Sequence, residues 1–121
     1  MPVWGWSDQP GATVTVTFNG QTKTTRVNAA GIWRADLDAM PANATGADLM
    51  ATDGPTTSTL HDVVVGEVWL ASGQSNMEWP VQNSRGYAEE KTRPVNPLIR
   101  HLRVDHLGAD LPVGQIGRAH V

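Results

Sequence analysis

A serine hydroxyl acts as a nucleophile when a turn exposes it, a base takes its proton and donors hold the oxyanion formed on attack. Residues 66–77, GEVWLASGQSNM, are built to meet the first condition. Val68, Trp69, Leu70 and Ala71 run without polar alternation, as a strand buried on both faces of a parallel sheet does. Function in such sheets gathers at the carboxyl ends of strands. Ser75 lies just past that end, and Gly73 gives the backbone freedom for a tight turn. The N–H groups of Ser75 and its neighbour would then point to where an acyl oxygen gathers charge, aided by the positive end of a following helix.

The same residues support a plainer reading. Ser75 with Glu78 three positions on has the pattern of a capping box, and Gln74 and Asn76 are ordinary turn residues. Met77 stands where the G-x-S-x-G elbow would place its second glycine, so that motif does not match. No base is visible. His61, His101 and His106 read as surface or edge residues, and Asp105 and Asp110 as solvated loop carboxylates.

The elements that would position the serine fall into two styles. Trp4 and Trp6 share one face of a first strand, and residues 13–18 alternate threonine with Val14, Val16 and Phe18. Asn19 and Gly20 form the dipeptide favoured in type I′ hairpins, with residues 21–27 as the returning strand. After a turn at residues 28–31, residues 32–37 put Trp33, Ala35 and Leu37 on one face, and these three strands read as a meander. Pro41, Asn43 and Gly46 are expected to break the chain before a weaker strand at 47–52. A turn at Asp53, Gly54 and Pro55 precedes a strand at 58–65. Beyond Gly66 the pattern changes to a buried strand, the serine turn, a partly helical stretch at 77–91, a loop at 93–97 and a strand at 98–104. The fold class that follows is mixed β and α/β: an incomplete antiparallel β-sandwich over 1–65, then the opening strand, elbow and strand of an α/β sheet over 66–115.

Composition narrows the partners. The 121 residues carry a net charge of −3, 17% charged side chains and no basic cluster, which leaves no footprint for nucleic acid or an anionic membrane. A small neutral or sugar-like ligand suits this balance better. The absence of cysteine excludes disulfides and thiolate metal sites and leaves the redox compartment unread. No apolar run reaches membrane-spanning length and the first residues are not a signal peptide, so the chain reads as soluble. Those first residues already resemble the inside of a strand, which suggests an upstream portion.

The wording of residues 66–80, GEVWLASGQSNMEWP, resembles the sialate O-acetylesterase family of SGNH-type serine hydrolases. VWGWSDQPGATVTVTFNGQ at 3–21 is similar to the amino-terminal β-domain of that family, and NPLIRHLRV at 96–104 to the strand after its nucleophile. The resemblance implies a carbohydrate O-acetylesterase with Ser75 as nucleophile and backbone oxyanion donor, no cofactor or metal, and an acetylated sugar as substrate. It further implies an Asp and a His from later blocks that this sequence does not contain, so the chain is expected to be an inactive fragment. A periplasmic or extracellular parent is the matching expectation. Two other readings stay open: an esterase of acetylated plant polysaccharides, and a non-catalytic sugar-binding sandwich using Trp4, Trp6 and Trp33 as stacking platforms. Residues 116–121, IGRAHV, match one reading frame of a common sequencing adapter and read as a non-native tail without a role for His120.

Overall fold

The computed structural model describes residues 1–102. The chain divides into two compact units, Met1–Leu70 and Ala71–Val121. The first contains six strands: β1 Pro2–Trp6, β2 Thr13–Phe18, β3 Gln21–Arg26, β4 Ile32–Asp36, β5 Asn43–Thr52 and β6 Thr57–Val65. They form two antiparallel sheets, one of order β1-β4 and one of order β3-β2-β5-β6.

The alternation in β2 is what makes the sandwich. Val14, Val16 and Phe18 are essentially inaccessible, while the threonines between them face outward or stay half-buried. Across the interior lie Trp33 and Ala35 of β4 and Leu37 just after it, with Leu49 of β5 and Val27 completing the core. Burying a side chain the size of Phe18 contributes about 1.5–3 kcal/mol relative to leaving it in water. Gly5 of β1 is buried because Trp33 lies against it: a Cβ at Gly5 would sit 2.8 Å from Trp33 Cζ2.

This arrangement corrects the expected meander. β4 does not pair with β3 but crosses to the other sheet, where Gly5 pairs with Trp33 and Val3 with Ala35. The crossing brings the apolar face of β4 over that of β2, so both faces are buried at once; a β3–β4 ladder would have placed them side by side. The ends are tied by main-chain bonds, Ser7 N–H to Gly31 O at 2.9 Å and Leu37 N–H to Met1 O at 2.8 Å.

The hairpin between β2 and β3 is as expected, with Asn19 at φ 46° and Gly20 at φ 75°, the paired positive angles of a type I′ turn. The expected break near Gly46 is instead a bulge. β5 starts at Asn43 and its register with β6 shifts between Asn43, Ala47 and Leu49. Asp62 takes φ 57° opposite Gly46, whose missing Cβ would lie 2.9 Å from Asp62 Cα. Glycine here admits a second backbone rather than ending a strand.

The apolar stretch after β6 departs furthest from expectation. Val68, Trp69 and Leu70 have no strand partner among the described residues and are 95%, 86% and 93% exposed. Patterning identifies an apolar extended segment, but a doubly buried strand also needs neighbours to take its amides and cover its faces. The second unit holds two 3₁₀ turns, Ser75–Glu78 and Val81–Asn83, and one short helix, α1 Tyr87–Glu90. The expected strand at 98–104 is not formed over 98–102, where Leu98 N–H is bonded to Asn96 Oδ1 at 3.0 Å in a turn. Residues 103 and 104 lie outside the described residues, as do Asp105, His106, Asp110 and the 116–121 tail.

Candidate active site

Ser75 is exposed and opens the first 3₁₀ turn. Gln74 precedes it in extended conformation, φ −104° and ψ −153°, and the turn closes with Met77 N–H on Gln74 O at 2.8 Å. The side chain of Met77 folds back over Gly73, where a Cβ would meet Met77 Cγ at 2.7 Å. Gly73 therefore serves by close approach. Its φ is not among the positive ones, which corrects the expectation that it supplies a backbone angle closed to other residues.

The capping alternative is not realised. Gln74 occupies the N-cap position and no side chain caps the turn. Neither does the turn carry a helix dipole: it spans four residues, and the segment breaks at Trp79 and Pro80 before Val81. What the turn itself offers at Ser75 is individual amides. The N–H groups of Ser75 and Asn76 donate to no other group among the described residues, so both are available to a ligand.

Among the described residues no base is brought to the hydroxyl. Among the described residues no histidine or carboxylate bonds to Ser75. His101 is exposed. His61 lies within β6 on the surface, with its Nδ1 2.9 Å from Asp48 Oδ1 on β5. The turn thus presents an exposed hydroxyl and two unengaged amides, with no general base beside them among the described residues.

The first unit holds a polar pairing that composition and periodicity gave no sign of. Ser7 Oγ donates to Asp53 Oδ2 and Thr56 N–H donates to Asp53 Oδ1 at 3.1 Å, joining the end of β1 to the turn between β5 and β6. These bonds, the serine hydroxyl foremost, hold the Asp53 carboxyl below the ordinary carboxylate range. On the same strand Trp4 and Trp6 are 53% and 55% exposed, edge to face with centroids 5.2 Å apart. Trp33, expected with them as a platform, is instead core. Among the described residues no group of three or more His, Asp or Glu is placed to hold a metal, and no helix is long and apolar enough to cross a membrane.

No family model matches the sequence. Individual proteins do. The chain is 35% identical to the human sialate O-acetylesterase over 126 aligned positions, covering 88% of this chain and 24% of that protein. It is 43% identical to the mouse sialate O-acetylesterase over 88 positions, covering 65% of this chain and 16% of the mouse protein. The crystal structure of a carbohydrate acetylesterase from Xanthomonas citri superposes with a TM-score of 0.88 at 32% identity, over 98% of this chain and 27% of that one. These likenesses set the chain among the relatives of carbohydrate acetylesterases. Within that class its likeness is to sialate O-acetylesterases, and it spans about a quarter of the length of the human protein.

Proposed function

We propose that the chain is part of a carbohydrate O-acetylesterase in which Ser75 is the nucleophile. The observation that carries this reading is the exposed Ser75, with its own N–H and that of Asn76 unengaged, inside a sequence similar to sialate O-acetylesterases. In the proposed reaction Ser75 Oγ attacks the acetyl carbonyl while a base takes its proton, and the Ser75 N–H helps hold the oxyanion. The sugar hydroxyl leaves with a proton, giving acetyl-serine, and water then releases acetate and restores the hydroxyl.

We read residues 1–65 as an incomplete β-sandwich domain and 66–115 as the opening of an SGNH-type α/β domain, in which 66–71 becomes the first strand once neighbours flank it. The 68–70 exposure supports this, since such an apolar run is costly in water. The base, an Asp and His pair, would come from chain beyond that of this sequence, and the compartment would be periplasmic or extracellular.

The 121-residue chain alone should then be close to inactive. Hydrolysis of 4-nitrophenyl acetate by the purified chain is expected to match that of its Ser75→Ala variant. A substantial rate abolished by Ser75→Ala would overturn the proposed inactivity. In a full-length protein carrying this segment, Ser75→Ala should lower kcat by about 10³-fold or more, and a loss under tenfold would remove Ser75 as nucleophile.

A further inference from the structure

We propose that the first unit carries a carbohydrate-binding site built on Trp6, which takes a neutral, acetyl-bearing sugar residue. The site goes beyond the esterase reading and does not depend on Ser75. Where β1 ends beside the β5–β6 turn, a depression of about 70 Å³ opens to solvent. Val14, Trp33 and Ala51 form the apolar part of its lining, and Ser7, Asp53 and three further Ser and Thr residues the polar part, beside Trp6. Trp6 is 55% exposed, yet Trp4 packs edge to face against it with the ring planes 85° apart. An indole already held in place loses little freedom when a ligand stacks on it.

Sugar rings carry an apolar C–H face and a belt of hydroxyls, so an aromatic face beside a carboxylate matches them on both counts. Each Asp53 oxygen accepts one bond from within the protein, from the Ser7 hydroxyl and the Thr56 N–H. A carboxylate has about four acceptor sites, which leaves room for sugar hydroxyls. Because those bonds favour the ionised carboxylate, the site is negative at neutral pH and disfavours anionic sugars. Size then selects the group that enters. The depression is worth about five waters, at roughly 10–15 Å³ each, which seats one ring substituent rather than a ring. An acetyl methyl suits the apolar part of the lining and its carbonyl the polar part, with the ring itself lying on Trp6. A staple role accounts for the Ser7–Asp53 bond but not for the half-exposed tryptophan beside it.

The test is saturation-transfer NMR on the full chain with N,N′-diacetylchitobiose, an amide probe that an esterase does not consume. Cellobiose and N-acetylneuraminic acid serve as comparisons. Binding at millimolar affinity is expected, strongest at the acetyl methyls, weaker for cellobiose and weakest for the anionic sugar. Ser75→Ala should bind as the unaltered chain does, so failure of the esterase reading leaves this result untouched. Trp6→Ala should weaken binding about five- to tenfold, whereas Trp79→Ala, outside the depression, should not. Asp53→Asn, which can still accept the Ser7 hydroxyl, should lose the bias against the anion. No transfer at about 10 mM probe, or unchanged affinity in a folded Trp6→Ala chain, would overturn the proposal. Should Trp6→Ala not fold, an Asp53→Asn chain with unaltered selectivity would overturn it equally.

Discussion

At the residue scale, Gly5 and Trp33 constrain one another: the indole occupies the space that any side chain at position 5 would need. Trp33 is core on its other side and cannot withdraw. Gly5→Ala should therefore cost about 1–3 kcal/mol, read as a lower urea midpoint at unchanged m-value. Asp53 gives the residue-level pH dependence. Its carboxyl is held below its ordinary value in the folded chain, so its contribution is present above the unfolded pKa of about 3.9 and is lost as pH falls through the lower folded value. Urea midpoints taken from pH 6 down to pH 3 should fall less steeply in Ser7→Ala than in the unaltered chain, since the Ser7 hydroxyl is the main cause of the shift. Residues on a two-residue period were legible beforehand: Val14, Val16, Phe18, Trp33, Ala35 and Leu37 are all buried. The Ser7–Asp53 pair, separated by 46 positions, was not, because nothing local to either residue marks the other.

At the scale of elements, the β2–β3 hairpin held and the placement of β4 did not. Asn19 and Gly20 specify their turn by backbone chemistry alone, and the turn is present. Gly20→Ala, which places a side chain at φ 75°, should cost about 1 kcal/mol by the same urea assay, with the strand signal in circular dichroism retained. Which sheet β4 joins is decided by whose apolar face it can cover, a question of three dimensions that alternation along one strand does not pose. Gly46 misled for a related reason: its role depends on Asp62, which meets it across the ladder. The serine turn was legible as an exposed turn and as a family wording. Its length was not, since the helix expected after it gives way to short turns separated by Pro80.

For the whole molecule, the division at Leu70 and Ala71 separates a sandwich with its own core from a unit without a buried side chain among the described residues. Residues 1–70 expressed alone should unfold cooperatively in urea, and loss of that transition would show that the core needs the remainder. The apolar run at 68–70 should make the full chain associate as concentration rises, and Trp69→Lys should reduce that association in sedimentation velocity. The tryptophans also make the molecule report on itself. Of the five, Trp33 alone is core, at 8% exposure, while Trp4, Trp6, Trp69 and Trp79 are at least half exposed. Its fluorescence is therefore mostly that of wetted indoles in the native state already, and unfolding shifts the emission of Trp33 against a steady background. The edge-to-face Trp4–Trp6 pair adds an independent optical channel, because two indoles fixed 5.2 Å apart couple their excited states and give a paired circular dichroism band. Loss of that band would mark the release of β1, and a change in emission the opening of the core.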